Sequence, residues 1–171
     1  MINDSSLRKK LDEFLSQENE QNWWKPELFE ASVRDQLPKE LEILSPPPAE
    51  QNNYNCFVYA LGLEQDRSFL GNDNWNFTKE LDQVYEEMMS QNLLTETQTP
   101  TPGDLIVYRT KEGVMSHVGR VKDNGVIISK WSWGPLLKHA VLAVPASYGD
   151  DVRYYKISDE AKQFVIKQRN V

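Results

Sequence analysis

Residues 102–130 read PGDLIVYRTKEGVMSHVGRVKDNGVIISK, and this stretch decides the fold class. It begins with a proline-glycine turn signal before an apolar run at residues 105–109, which predicts a short strand. Two more apolar runs, residues 118–121 and 126–129, flank an Asn-Gly pair, an arrangement typical of a β-hairpin. Strands joined by such short turns predict an antiparallel sheet.

Helical periodicity dominates the chain before this stretch. Apolar residues recur at helical spacing in three segments, residues 5–17, 26–36 and 78–93. Residues 55–63 are apolar on most sides and fit either a buried helix or a strand. After the hairpin, residues 152–157 predict a further strand, and Ser158 can cap a last helix. Helices followed by antiparallel strands define an α+β fold, with helices expected on one face of the sheet.

A proline run at residues 46–48 predicts a boundary in the chain. We expect an N-terminal helical extension over residues 1–45 and a main domain over residues 46–171. A segment of about 45 residues rarely holds a core alone. The extension is therefore expected to pack on the main domain, and the alternative is an arm that binds a protein partner.

Composition excludes several classes of protein. The net charge of -7 argues against a nucleic-acid surface, and the chain has no apolar run long enough to span a membrane. One cysteine and two histidines form neither an internal disulfide nor a Cys/His zinc cage, so we expect no metal. The first residues lack the apolar core of a standard secretory signal, which predicts a cytoplasmic protein.

Three side chains are candidates for chemistry. Cys56 opens the apolar segment at residues 55–63, and at a helix N-terminus the helix dipole and free N–H groups would stabilise a thiolate. A lone cysteine is also often a small buried hydrophobe. His117 starts a predicted strand after a polar loop, where it can act as a base, and His139 lies in a loop or short strand. Either histidine can instead be structural.

The segments PGDLIVY (residues 102–108) and SHVGRV (residues 116–121) resemble the second half of NlpC-type papain-like cysteine peptidases. In that family a Pro-Gly-Asp-Leu strand precedes a His-Val-Gly strand, and a cysteine on a helix N-terminus comes earlier. The segment NCFVYA, residues 55–60, is similar to the related CHAP amidases, in which an amide residue precedes the nucleophile. The resemblance covers roughly residues 52–131.

The resemblance implies a papain-like (NlpC/CHAP-type) fold, with the antiparallel sheet packed against the Cys-bearing helix. It also implies a thiol hydrolase that cleaves an amide, peptide or isopeptide bond without a cofactor, with Cys56 as nucleophile and His117 as general base. Asn55 and the Cys56 N–H would form the oxyanion site. Trp131 lies in a segment without a counterpart in the common enzymes of that family; its ring predicts a core position or a cleft wall that would contribute to substrate binding.

The third catalytic position departs from the family pattern. Counted through the Asn-Gly turn, it falls on Ser129, where the family often has His, Asn or Gln. Serine orients an imidazole weakly. Either Ser129 suffices, or His139 or a water takes this role, or the site is a Cys-His dyad.

Two other functions fit the same residues. The sequence Asn-Cys-Phe-Val replaces the usual Asp-Cys-Ser-Gly, which favours a non-catalytic binding module that keeps the papain-like shell. An acyl-transferring relative would use the same cysteine and histidine. A thiol-directed probe that competes with substrate separates an enzyme from a binding module.

Overall fold

One antiparallel sheet forms the centre of the protein. The computed structural model describes residues 5–71 and 81–169. In these residues the strands are β1 (Glu42–Ser45), β2 (Leu94–Thr97), β3 (Leu105–Arg109), β4 (Met115–Asp123), β5 (Val126–Lys130), β6 (Leu136–Ala140) and β7 (Asp151–Ile157). The strands form a seven-stranded sheet in the order β1-β6-β5-β4-β3-β7-β2. The predicted α+β class is confirmed.

Six helices accompany the sheet in the described part of the chain. They are α1 (Ser5–Phe14), α2 (Glu20–Trp24), α3 (Pro26–Ser32), α4 (Cys56–Ala60), α5 (Leu81–Ser90) and α6 (Ala161–Arg169). The segment predicted as a helix over residues 26–36 divides at Val33 into α3 and a short 3-10 turn. Of the helix predicted over residues 78–93, residues 78–80 lie outside the described residues. None of the described helices has the length and apolar character needed to cross a membrane.

Helices cover both faces of the sheet, which corrects the prediction of helices on one face. Leu105 and Val107 of β3 belong to an apolar cluster with α4, α5 and α6. Ile106 and Tyr108 belong to a second cluster with α1, α2 and α3. All four side chains are fully buried. Because successive residues of a strand point to opposite faces, a strand that is apolar at every position requires cover on both sides.

The first 45 residues contact the sheet at several points. β1 pairs with β6, so the predicted boundary at residues 46–48 follows a segment that contributes an edge strand. Arg8 of α1 donates to the backbone oxygens of Val144 (3.1 Å) and Gly149 (2.8 Å). It also forms an ion pair with Asp150. These contacts fix the loop at residues 144–150, which carries a side chain of the candidate site.

Candidate active site

The cysteine lies at the start of helix α4. Asn55 is the N-cap of this helix, and its side-chain oxygen accepts hydrogen bonds from the N–H groups of Phe57 (3.0 Å) and Val58 (3.2 Å). The extended backbone of Asn55 and this double cap make Cys56 the first helical residue. Since the Asn55 oxygen is used by the cap, only its amide nitrogen is left to serve the expected oxyanion site.

Burial dominates the chemistry of Cys56. The side chain is 6% exposed, and its loss of hydration raises the pKa of the thiol to about 11. The pKa is lowered by backbone hydrogen bonds with Val118, Phe57 and Cys56 itself, and to a smaller extent by the positive charge of Lys130. These effects together are smaller than the effect of burial. The resting side chain is therefore a neutral thiol. The expectation of a populated thiolate is corrected, because the helix terminus does not compensate for desolvation.

This neutral thiol predicts slow alkylation. At about pH 8, iodoacetamide should modify Cys56 in the folded protein roughly a hundredfold more slowly than in the urea-unfolded chain, because the thiolate is the reactive species. The chain has one cysteine, so the mass increase measured by intact-protein mass spectrometry reports this site alone. Equal rates in the folded and unfolded chains would instead mean that the helix terminus maintains a thiolate.

The histidine of strand β4 is buried and unpaired. His117 is 1% exposed, and neither of its ring nitrogens has a hydrogen-bond partner among the described residues. Its ring stacks on Tyr148, with centroids 4.1 Å apart, and lies 5.5 Å from the Tyr108 ring. Burial, followed by the charge of His139, lowers the pKa of His117 well below its usual value. The ring is thus a neutral imidazole with a free lone pair.

Cys56 and His117 line the same cavity, which has a volume of about 500 Å³. Val118 packs in the apolar cluster of Cys56, and the ring of the neighbouring His117 points to the other face of β4, against Tyr148. The two side chains are not hydrogen-bonded to each other. The pairing between β4 and β5 ends at Arg120 and Ile128, so the first half of β4, which includes His117, is not paired with β5.

The two candidates for the third catalytic position bind each other. Ser129 Oγ lies 2.7 Å from His139 Nε2, and His139 Nδ1 lies 2.8 Å from the Ala140 carbonyl. Because a carbonyl only accepts, Nδ1 carries the proton, and the Ser129 hydroxyl donates to Nε2. Trp131 Nε1 donates to Ser129 Oγ at 3.0 Å. The Ser129 hydroxyl proton is therefore already donated to His139. Neither Ser129 nor His139 is hydrogen-bonded to His117.

The aromatic wall of the cavity differs from the predicted one. Trp131 is fully buried, with its ring edge-on to His139 and Tyr148, and it does not border the cavity. Trp133, two residues later, does border it, together with Trp24 of α2. The sequence has tryptophans at positions 23, 24, 131 and 133, but no spacing rule tells which of them line a cavity and which lie in the core.

A buried lysine was missed by the sequence reasoning. Lys130 is fully buried, and its Nζ donates to Asn53 Oδ1 (2.9 Å) and to the Gly134 carbonyl. It lies 4.9 Å from the centroid of the Tyr54 ring. Burial lowers the pKa of Lys130 to about 7. Asn53 also donates to the Trp133 carbonyl at 2.7 Å, so this cluster ties the loop before Cys56 to the turn after β5.

The site contains a thiol, an imidazole and aromatic walls. Among residues 5–71 and 81–169, no group of three His, Cys, Asp or Glu side chains is arranged to hold a metal ion. The class defined by these observations is an α+β domain with a buried cysteine and histidine facing one cavity.

A family model described as Domain of unknown function (DUF7689) matches residues 42–156, and the chain belongs to this family. No curated protein and no solved structure matches the chain. The matched range contains Cys56 and His117 but not the residues before Glu42. Part of the cavity wall, residues 15–24, therefore lies outside the range that defines the family.

Proposed function

We propose that this protein is a thiol hydrolase of papain-like (NlpC/CHAP-type) fold that cleaves an amide, peptide or isopeptide bond. The observation that carries the proposal is the unpaired imidazole of His117, buried in the same cavity as the Cys56 thiol. Buried polar groups nearly always have hydrogen-bond partners, and a catalytic role is one explanation for an exception. An imidazole held neutral is in the protonation state that a general base needs.

The reaction starts from a neutral thiol and a neutral imidazole. The Cys56 proton passes to the free nitrogen of His117 as the sulfur attacks the substrate carbonyl carbon. The imidazolium then gives this proton to the leaving amine, and a thioester on Cys56 remains. His117 next takes a proton from water, which attacks the thioester and releases the acid and the thiol. The Cys56 N–H and the side-chain amide N–H of Asn55, which the helix cap does not use, stabilise the oxyanion.

His117 acts without a hydrogen-bonded third residue in this scheme, so the proposed site is a dyad. The ring plane is held by stacking on Tyr148, at an interplanar angle of 14°. Tyr148 lies in the loop that Arg8 fixes. Ser129 and His139 support the strand beside His117 through their own hydrogen bonds.

A non-catalytic binding module is the second candidate. The thiol pKa of about 11 and the lack of a Cys56–His117 hydrogen bond favour it, because both describe a cysteine that is not activated as a nucleophile. An acyl-transferring relative would use the same two residues and differ only in the group that accepts the acyl chain.

Acylation of Cys56 by the p-nitrophenyl ester of N-acetylglycine tests the proposal. We expect a transient acyl adduct on Cys56 and release of free acid in the wild-type protein. His117→Gln should slow acylation by about 10²–10⁴, the usual contribution of a general base. The adduct is measured by rapid-quench mass spectrometry, at matched folded fraction by circular dichroism.

His139→Gln is the matched control, because it changes the other buried histidine and should leave acylation nearly unchanged. Equal acylation rates in the wild type and His117→Gln would remove His117 as the base and favour the binding module. With glycinamide added, formation of the glycinamide conjugate in place of free acid would identify an acyltransferase.

A further inference from the structure

Five aromatic side chains line the cavity shared by Cys56 and His117. Trp24 of α2, Phe57 of α4 and Trp133 of the turn after β5 line it, with Tyr148 beside His117. Trp23 closes it from behind, fixed by a 2.9 Å hydrogen bond from its indole N–H to the Trp131 carbonyl. Flat apolar walls of this kind favour a planar apolar group over a small or aliphatic one.

The charges at the cavity exclude an anionic ligand. In the described part of the chain no lysine or arginine lines it, and the one carboxylate that does is Glu20. Its histidine is neutral, because burial lowers the pKa of His117. A carboxylate or phosphate entering the cavity would lose its hydration without gaining a cationic partner, which is costly.

Two kinds of N–H group at the cavity lack an acceptor. Trp24 lines the cavity, and its indole N–H is buried without a hydrogen-bond partner in the described structure. His117 carries one ring N–H that is also unpaired. Indole nitrogen only donates. Both nitrogens are covered by protein in this structure, so the carbonyl oxygens of a ligand would satisfy these donors after the two rings turn towards the cavity.

We propose that the cavity binds an uncharged aromatic acyl group, such as an aromatic amino-acid residue on the carbonyl side of the bond to be cleaved, with Trp24 and Trp133 as specificity-determining walls. The inference rests on the proposed function for the bond that is cleaved. Because Trp24 precedes the family range, substrate choice depends on the N-terminal residues of this chain.

Binding to the full-length Cys56→Ala protein tests this inference without turnover. Three probes are compared by isothermal titration calorimetry: N-acetyl-L-phenylalaninamide, N-acetyl-L-alaninamide and the free acid N-acetyl-L-phenylalanine. We expect the aromatic amide to bind at least about tenfold more tightly than the alanine amide, since one buried aromatic ring supplies that difference. We expect the free acid to bind at least about tenfold more weakly than the aromatic amide.

Trp24→Ala in the same background should weaken binding of the aromatic amide by about tenfold. Tyr154→Ala, which removes a partly exposed ring of β7 outside the cavity, is the control and should leave the affinity unchanged. The inference is overturned if the alanine amide or the free acid binds as tightly as the aromatic amide, or if Trp24→Ala has no effect. Selective binding of the aromatic amide without acylation by the ester would reject the hydrolase and retain the ligand class.

Discussion

Lowering the pH from 7 to 4 should reduce the free energy of unfolding by at least about 3 kcal/mol, because two histidines are folded as neutral side chains. Burial lowers the pKa of His139 from 6.5 to about 4 and that of His117 well below 6.5. In the unfolded chain both rings bind a proton near pH 6.5. One pKa unit corresponds to about 1.4 kcal/mol, so His139 alone accounts for about 3 kcal/mol.

The sign of this effect follows from the direction of the shifts. Below pH 6.5 the two histidines bind more protons in the unfolded state than in the folded state, so their contribution to stability is full above pH 6.5 and falls as the pH decreases towards 4. Protonated His139 also loses the Nε2 lone pair that accepts the Ser129 hydroxyl. Urea unfolding at several pH values between 7 and 4 measures the change.

His139→Gln isolates this contribution from that of the carboxylates. A glutamine offers Ser129 an acceptor oxygen but does not titrate. Between pH 7 and 4 the free energy of unfolding of this variant should therefore fall by about 3 kcal/mol less than that of the wild type. His117→Gln should remove a further part. If His139→Gln has the same pH dependence as the wild type, His139 is not folded as a neutral ring.

The sequence predicted the centre of the sheet better than its edges. Strand β3 has the predicted bounds, because its apolar run is framed by a turn signal and a polar loop. The edge strands β1 and β2 were missed. Each has only four residues, two of them apolar in β1 and one in β2, and each is defined by pairing with a distant strand, which no local pattern reports.

The sequence placed two side chains of the candidate site and missed their environment. Cys56 and His117 share a cavity, although the catalytic role of each stays a prediction. The thiolate was wrongly expected, because a helix N-terminus is visible in a sequence and complete burial is not. The pairing of Ser129 with His139 depends on the register of β5 against β6, which residue counting through one hairpin does not give.

The N-terminal residues shape the cavity, and this dependence also could not be predicted. A proline run marks a change in composition, but it carries no information on what the preceding helices cover. In the structure, the Trp23 indole N–H donates to the Trp131 carbonyl, and Trp23, Trp24 and Trp133 line the same cavity. The same contact that holds the extension on the sheet therefore closes the candidate site.

Replacing Trp23 with alanine should be the most destabilising single change in this contact, with a loss of about 3–5 kcal/mol. The indole is 2% exposed and lies 6.0 Å from the rings of Phe14, Phe29 and Trp131. Its removal leaves a cavity between the helices and the sheet, and the Trp131 carbonyl keeps only the Gly134 N–H of its two donors. Chemical denaturation followed by far-ultraviolet circular dichroism measures the loss.

Two variants complete this experiment. Trp24→Ala removes a neighbouring, partly exposed indole and should cost clearly less stability, although it changes the cavity wall. Gly134→Ala disrupts the same contact through the residue that faces Trp23. An added Cβ would lie 2.0 Å from Trp23 Nε1, so this variant should also destabilise the protein. If Trp23→Ala costs no more than Trp24→Ala and Gly134→Ala is neutral, the helices do not hold the sheet through this indole. The pairing of β1 with β6 and the Arg8 contacts would then be what holds the extension on the sheet.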